Sequence, residues 1–283
     1  MSYENFIGKQ EKFTENINEK QVQKIVATLQ SKQLKNGDAL PYLWQWCFFN
    51  EALTPDKLGR DGHPKLGLDK NSFFPSFGEV NRMWAGGRFN FIAPLIIGED
   101  ATKITTIKKI QEKQGKSGKL TFVTLEHCYY QKEQLKIEEE QDIVYKQPAP
   151  PKLTSDVVAM NADYSEKMQP DSTLLFRYSA LTFNGHKIHY DFPYATQVEG
   201  YHGLVIHGPL LATYMINCFV KNHPDKQIIN YSYRGMHALC VPDSFAVESK
   251  IIDNNTAEVW INKNGFVAHS VGGKIKCNHR KIK

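Results

Sequence analysis

The amino-acid sequence predicts an α+β protein built from two similar halves. Its 283 residues are enough for two domains of ordinary length, each with a hydrophobic core of its own. With 41% hydrophobic and 23% charged residues, the composition is that of a globular protein rather than a disordered or fibrous one. In each half, a segment with helical spacing is accompanied by a series of strand-like runs, and this order of elements predicts the fold class.

The first half begins with an amphipathic helix. Asn18 followed by Gln21 resembles a capping box. Four apolar residues at helical spacing come next, namely Val22, Ile25, Val26 and Leu29. An Asn-Gly-Asp turn signal at residues 36–38 ends the pattern. The following stretch, residues 39–52, is too aromatic on all sides for a surface helix, so we expect it to lie in a core.

Strand-like runs fill the rest of the first half. From residue 88 onward, β-branched and aromatic residues partly alternate along RFNFIAPLII, TKITTIKKI and KLTFVTLEHCYYQ, which predicts an antiparallel meander. An acidic cluster follows, and then the segment QPAPPKLTSD, which has the most linker-like composition in the chain. We therefore predict two domains, 1–150 and 151–283, with a boundary near Pro150.

The second half has the same order of elements. We predict a strand over LLFRYSALTF, an irregular polar loop and an apolar helix from about His207 to Lys221. Further strands are predicted over QIINYSYRGMHAL, FAVESKII, TAEVWINKN and FVAHSVGGKIK. The two halves suggest a duplicated α+β unit. This inference depends on element order alone, because the direct sequence similarity between the halves is weak.

Composition disfavours several classes of function. The five cysteines are widely spaced and contain no C-x-x-C pair, so we expect free, reduced thiols. A net charge of +5, with lysines and acids interleaved, gives little support for nucleic-acid binding. No apolar run is long enough to span a membrane. The N-terminal segment has acidic residues and no apolar core, which favours the cytoplasm.

Several catalytic motifs are missing from the sequence. Without G-x-S-x-G, G-x-G-x-x-G or H-E-x-x-H, a nucleophilic hydrolase, a dinucleotide-binding enzyme and a zinc protease are all disfavoured. We expect that the protein needs no cofactor and no metal.

Residues capable of proton transfer crowd into the segment from Phe183 to Leu210. It contains four histidines, at positions 186, 189, 202 and 207. Histidine has an ordinary pKa of about 6.5 and gives and takes protons near neutral pH. An isolated surface histidine is more often an ordinary polar residue than a catalyst, and we interpret His202 in that way. For His186 and His207, both a catalytic role and an ordinary structural role remain possible interpretations.

A helix start lies beside these histidines. Gly208 precedes Pro209, and proline is favoured in the first turn of a helix because its missing N–H would have no partner there. A helix N-terminus carries about +0.5 charge and exposes free amide donors. A glycine at this point lets a ligand approach the backbone closely. An anionic oxygen, including an enolate, would be stabilised here.

Residues 176–215, FRYSALTFNGHKIHYDFPYATQVEGYHGLVIHGPLLATYM, resemble the MaoC-like hydratase/dehydratase family of the hotdog fold. The resemblance is to the branch of itaconyl-CoA and mesaconyl-C4-CoA hydratases and mitochondrial-type 3-hydroxyacyl-thioester dehydratases. Residues 82–99, RMWAGGRFNFIAPLIIGE, look like the N-terminal half of this branch. The resemblance implies a double hotdog, each half an antiparallel sheet wrapped around a central helix. The two central helices would be residues 39–49 and 207–221.

The resemblance also implies the site. In the wider family, an aspartate and a histidine five residues later activate one water, and those positions hold Asn184 and His189 here. An amide does not exchange a proton near pH 7 but still orients a water. His189 would then carry the acid–base work, with Asp191 or His207 assisting and the Gly208 amide binding the oxyanion. The first half lacks such a pair, so the C-terminal domain would hold the one active site and the N-terminal domain would be non-catalytic.

The substrate implied is an acyl thioester. We expect a hydratase for a short branched or dicarboxylic enoyl-CoA such as itaconyl-CoA or mesaconyl-CoA. The alternatives are a dehydratase for 3-hydroxyacyl chains on coenzyme A or acyl carrier protein, and a non-catalytic acyl-thioester binding module. The family habit of pairing hotdogs implies a homodimer.

Some residues outside the histidine segment are candidates for substrate binding. A second carboxylate on the substrate would need a cation, and the candidates are Arg82, Arg88, Arg177 and Arg234. Trp84, Gly86 and Gly87 either line the acyl pocket or form a packed turn into the next strand.

Overall fold

The computed structural model describes residues 3–69, 72–115, 118–149, 151 and 155–279. The chain divides into two compact units. Unit 1 comprises Met1–Ala85, Ile92–Ala149 and Phe176–Lys187, and unit 2 comprises Gly86–Phe91, Pro150–Leu175 and Ile188–Lys283. The predicted boundary residue, Pro150, lies outside the described residues.

Unit 1 contains an antiparallel sheet. Strand β1 is Gln10–Asn16, and β2, Asn81–Phe91, has residues in both units. The other strands are β3 (Asp100–Gly115), β4 (Gly118–Gln131) and β5 (Gln134–Lys146). They pair in the order β1-β3-β4-β5, each antiparallel to the next. The predicted meander is confirmed for β3, β4 and β5, whereas β2, which contains the start of the first predicted run, does not pair with β3 among the described residues. The acidic cluster lies within β5.

The first helix of unit 1 is also confirmed. Helix α1 spans Glu19–Leu29, and the Asn18 side chain accepts a hydrogen bond from the backbone amide of Gln21 at 2.8 Å, as a helix cap does. Its apolar residues Val22, Ile25 and Val26 are buried.

The aromatic stretch that follows α1 is buried but is not the central helix that we predicted. Within residues 39–49 the structure has only a short 3-10 helix, Trp44–Cys47. Leu43 and Phe49, on either side of it, have positive φ angles of 69° and 58°, which an α-helix does not accommodate. The side chains of Leu43, Trp44, Phe48 and Phe49 lie in the core, as expected.

Unit 2 contains further antiparallel strands and an apolar helix. Its strands are β6 (Tyr164–Met168), β7 (Lys226–Arg234), β8 (Phe245–Asp253), β9 (Thr256–Lys263) and β10 (Phe266–His279). They pair in the order β7-β10-β9-β8-β6, and residues 86–90 of β2 pair with β7. The four strands predicted after the apolar helix are confirmed.

The segment LLFRYSALTF forms a helix, not the strand that we predicted. Helix α2 spans Ser172–Leu181. Its buried residues Leu175, Tyr178 and Leu181 recur every three positions, which is helical rather than strand spacing. The Asp171 carboxylate accepts a hydrogen bond from the Leu174 amide at 2.8 Å and caps the helix.

The predicted apolar helix is the central helix of unit 2. Helix α3 spans Gly208–Asn222 and packs against β8 and β9. Residues such as Leu210, Met215 and Phe219 are fully buried along it. The Tyr231 hydroxyl donates to the Ala212 carbonyl at 3.1 Å, which ties β7 to the helix. Among the described residues, no helix is long and apolar enough to cross a membrane.

A buried histidine makes the stability of unit 1 sensitive to acid. The Thr105 hydroxyl donates to His127 Nδ1 at 2.8 Å, and Nε2–H donates to Gln141 Oε1 at 3.0 Å. Burial, reinforced by the positive charge of Lys103, lowers the pKa of His127 to about 4. The folded protein therefore holds this ring neutral at pH values where the unfolded chain protonates it.

We expect this difference to appear in unfolding measurements. Because the folded pKa is below the unfolded value of about 6.5, the His127 contribution is fully present above that pH and is lost as pH falls toward 4. The predicted loss by pH 5 is about 2 kcal/mol. The variant His127→Gln keeps a donor and an acceptor but does not titrate, so its urea midpoint should fall less between pH 7 and pH 5. Equal losses in both proteins would contradict this assignment.

Candidate active site

His189 is held by its backbone surroundings in one tautomer. It ends the short 3-10 helix Lys187–His189, and its side chain is buried, with 6% of the residue exposed. Nδ1 donates to the Val205 carbonyl oxygen at 2.7 Å. Because a carbonyl oxygen only accepts, the Nδ1 atom carries the proton, and in the neutral ring the Nε2 atom keeps its lone pair. That nitrogen is the one that can act as a base.

A second histidine stacks on the first. The ring centroids of His189 and His207 lie 3.6 Å apart, with 18° between the ring planes. Burial, and secondarily the charge that His189 can carry, lowers the pKa of His207 well below its usual range. His207 is therefore neutral at physiological pH, and its uncharged imidazole ring stacks on that of His189.

The stacked pair lies at the start of α3. His207 is the residue before the helix, and Gly208 and Pro209 are its first two residues. Since Pro209 has no N–H, the first turn offers the amides of Gly208 and Leu210. These donors and the positive end of the helix dipole suit a negatively charged oxygen. Unit 2 thus brings His189, His207 and Gly208 together.

Asp191 has a structural contact of its own. Its Oδ1 atom accepts a hydrogen bond from the Tyr194 amide at 3.0 Å, where the π-helix Tyr194–Val198 begins. One oxygen of this carboxylate therefore caps a turn. The assisting role that we predict for Asp191 would fall to the other oxygen.

Asn184 lies in the turn after α2, in the part of the chain that belongs to unit 1. Its side-chain oxygen accepts a hydrogen bond from the His186 amide at 3.0 Å, which makes an Asx turn. This contact fixes the orientation of the side chain, because the oxygen faces the His186 amide.

The remaining predicted residues are dispersed. Trp84 packs edge-on against Trp46, with ring centroids 5.3 Å apart. Arg82 lies beside Tyr145, whose pKa it lowers against the larger effect of burial. Arg177 on α2 and Arg234 at the end of β7 are exposed.

The glycine pair lies where β2 pairs with β7. Gly86 and Gly87 stand opposite Arg234 and Tyr233. A Cβ atom on Gly86 would lie 2.5 Å from the Tyr233 carbonyl oxygen. Gly86 therefore allows the neighbouring strand, rather than a ligand, to approach its backbone closely.

The structure also assembles polar residues that the sequence analysis did not single out. Asp61 and His63 lie against His186 in unit 1. The two histidines are 123 positions apart along the chain, so no local spacing indicates that they meet. The pattern Asx-Gly-His, which occurs at residues 61–63 and 184–186, is the one signal that relates the two segments.

Comparison with known proteins identifies the family. The model of the family "hydroxyacyl-thioester dehydratase type 2" matches residues 43–241. A mesaconyl-C4-CoA hydratase from Chloroflexus aurantiacus is 43% identical over 203 residues, which are 71% of each protein.

Two solved structures show the fold. A MaoC-like dehydratase from Phytophthora capsici matches with a TM-score of 0.73 at 11% identity, over 99% of this chain and 98% of the other. A Mycobacterium tuberculosis protein described as a double hotdog matches with a TM-score of 0.57 at 10% identity, over 96% of each chain. The predicted double hotdog is confirmed, and the chain belongs to the hydroxyacyl-thioester dehydratase type 2 family of hydro-lyases.

Proposed function

We propose that the protein adds water to the conjugated double bond of a short branched or dicarboxylic enoyl-CoA, such as mesaconyl-CoA or itaconyl-CoA. The observation that carries this proposal is the tautomer of His189, whose Nδ1–H is held by Val205 while Nε2 keeps a lone pair beside the α3 N-terminus. The 43% identical mesaconyl-C4-CoA hydratase supports the choice of substrate.

The main energetic obstacle in this reaction is charge on the thioester oxygen. As water attacks the β-carbon, the electrons of the double bond move toward the carbonyl and an enolate-like oxygen forms. The Gly208 amide would donate to that oxygen, and removing one such donor typically costs about 2.7–4 kcal/mol of transition-state stabilisation. His189 Nε2 takes the proton of the water and returns one to the α-carbon, so the reaction needs no external acid.

The neighbours of His189 have supporting roles in this proposal. Neutral His207 keeps the ring in place without adding a charge that would oppose protonation. The family resemblance assigns the orientation of the water to Asn184, five positions earlier in the chain. The chemistry uses only protein groups and the thioester, so we propose that no cofactor takes part. A cytoplasmic homodimer is the form that we expect in the cell.

The family match favours one other function. A 3-hydroxyacyl thioester dehydratase, acting on coenzyme A or acyl carrier protein, would use the same groups in reverse, because hydration and dehydration share one transition state. The third candidate function is a non-catalytic acyl-thioester binding module. That function would not explain why His189 is held in the tautomer that leaves Nε2 as the basic nitrogen.

A substrate panel distinguishes these functions. The purified protein would be incubated separately with mesaconyl-CoA, itaconyl-CoA, crotonyl-CoA and a longer straight-chain enoyl-CoA, and water addition would be followed by mass spectrometry. We expect selective hydration of the two branched dicarboxylic thioesters. A preference for straight chains would instead support the dehydratase, and binding without turnover would support the binding module.

The role of Asn184 has a separate test. We expect Asn184→Asp to retain part of the hydratase activity, because a carboxylate also accepts from the His186 amide and orients a water. Asn184→Leu, similar in size but without a polar group, should lose most of it. Steady-state kinetics on both variants would check this order. An inactive but folded Asn184→Asp protein would show that the amide N–H group itself is required.

A further inference from the structure

Two turns of the same design face each other in unit 1. In residues 61–63 the Asp61 Oδ1 atom accepts a hydrogen bond from the His63 amide at 3.1 Å. In residues 184–186 the Asn184 oxygen accepts one from the His186 amide at 3.0 Å. Each is an Asx turn with glycine in the middle and histidine at its end. The two turns present two imidazoles and one carboxylate toward each other.

The backbones of these turns are in direct contact. The Lys187 amide donates to the Asp61 carbonyl at 2.8 Å. A Cβ atom on Gly185 would lie 2.7 Å from the Gly62 carbonyl oxygen, so only glycine fits there without a shift. Hydrogen bonds and this close approach fix the backbones of both turns. The positions of the Asp61, His63 and His186 side chains therefore follow from the backbone.

The side chains form a compact and largely enclosed cluster. His63 Nδ1 donates to Asp61 Oδ2 at 3.1 Å, and the His63 and His186 ring centroids are 4.1 Å apart. One nitrogen from each ring and one Asp61 oxygen all lie within 4.8 Å of one another. His186 is 7% exposed, and the side chains of His63 and Asp61 are 14% and 20% exposed. The cluster is therefore reachable by an ion but shielded from bulk water.

We propose that Asp61, His63 and His186 form a binding site for a divalent transition-metal ion. Donors bound to one such ion at about 2.1 Å lie roughly 2.9–3.4 Å apart, and the Asp61 Oδ2 to His63 Nδ1 distance of 3.1 Å falls in that interval. Since the ligand atoms lie within 4.8 Å of one another, a shift of the His186 ring by up to about 1.4 Å would complete a set of three ligands, with the remaining positions left to water. When the ion takes the Nδ1 position of His63, the proton on that atom moves to Nε2, so the ring stays neutral as it coordinates.

The chemistry of the donors selects the kind of ion. Two imidazoles and one carboxylate suit Zn²⁺, Co²⁺ or Ni²⁺, whereas Mg²⁺ and Ca²⁺ prefer sets made of oxygen. Arg82 is the cation whose field reaches His63. The positive charge of Arg82 opposes all divalent cations equally, so the preference among them comes from the imidazole donors.

A bound ion would link the two turns across a long interval of sequence. Because residues 61–63 and 184–186 are far apart in sequence and meet only in the folded protein, an ion bound there stabilises the folded state by mass action. The site does not include His189, and it is tested by binding rather than by turnover, because Asn184 both forms the turn that carries His186 and has the proposed role of orienting the water.

The experiment is a metal titration of the untagged full-length protein after chelator treatment. Calorimetry with Zn²⁺ and Co²⁺ should show one ion per chain. Bound Co²⁺ should give visible d–d bands without a near-ultraviolet sulfur charge-transfer band, which separates this site from the free cysteines. The unfolding temperature should rise when Zn²⁺ is added.

Three variants and one matched control locate the site. His63→Gln, which keeps a donor for Asp61, together with Asp61→Asn and His186→Ala, should each weaken binding at least tenfold. His202 forms a pair with Asp243 at the same 3.1 Å distance but without a second imidazole, so His202→Ala should bind like the wild type. Circular dichroism would verify folding. Lack of a stoichiometric ion in the wild type, or equal binding by the three variants, would overturn the proposal and leave the cluster as a hydrogen-bonded pair of turns.

Discussion

Replacing His189 with alanine is expected to lower kcat/KM for hydration by about 10²–10⁴-fold, which is the usual contribution of a general acid–base group. The expectation follows from the tautomer of the ring. Its Nδ1–H is engaged by the Val205 carbonyl, so Nε2 is the basic nitrogen that would act on water. A methyl group in its place has no atom that exchanges a proton, and the substrate should still bind.

Folding must be separated from chemistry in this test, because the alanine variant also leaves the Val205 carbonyl without its donor. His189→Gln retains an amide N–H that can reach this oxygen, and it should be as inactive as the alanine variant while unfolding closer to the wild-type temperature. His202→Ala, on a partly exposed side chain paired with Asp243, should keep full activity. Near-normal turnover in either His189 variant would remove this residue from the mechanism.

Most helices and strands were predictable because their burial follows a regular period. Helix α1 carries a cap at Asn18 and an apolar stripe, and α3 combines a Gly-Pro start with a long apolar face. Burial alternates most clearly along β4, where every second side chain from Thr121 onward is buried. In each of these elements local preference and tertiary packing agree.

Two of the predictions that were wrong, the strand over LLFRYSALTF and the helix over residues 39–49, have a common physical cause. In α2, the run LLFRYSALTF contains β-branched and aromatic residues that suit a strand equally well, and the Asp171 cap decides for the helix. In residues 39–49 an aromatic composition is compatible with any buried conformation, and positive φ angles at Leu43 and Phe49 exclude a long helix. Composition predicts burial at both places but does not determine the backbone.

The candidate site was predictable to the extent that its residues lie close in sequence. His189, His207 and Gly208 fall within a single segment of the chain, and unit 2 brings them together through the Val205 contact and the ring stack. Asp61 and His63 depend on a contact with a distant segment, and a short motif does not reveal its partner. The stacking of His207 on His189 was also beyond sequence reasoning, because spacing along an irregular loop does not determine ring geometry.

The start of α3 allows a backbone donor to be removed by mutation. Proline is well tolerated at the first helical position, where its φ angle is already suitable and its missing N–H has no helical partner. The residue before a proline is biased toward extended backbone, and His207, with φ −59° and ψ 129°, satisfies that condition. Residue 208 already precedes a proline within the helix. The variant Gly208→Pro should therefore keep the helix while it deletes the amide proposed to bind the oxyanion.

We expect Gly208→Pro to reduce kcat by about 10²–10³-fold, the usual effect of losing one oxyanion donor, which corresponds to about 2.7–4 kcal/mol. Gly208→Ala is the matched control, because it adds a side chain at the same position but keeps the N–H, and it should lose far less. Kinetics on the best substrate of the panel, with helical content and unfolding temperature measured in parallel, would compare the two. If the proline and alanine variants are equally active, the Gly208 amide does not stabilise the transition state, and the Leu210 amide becomes the remaining donor in the first turn of α3.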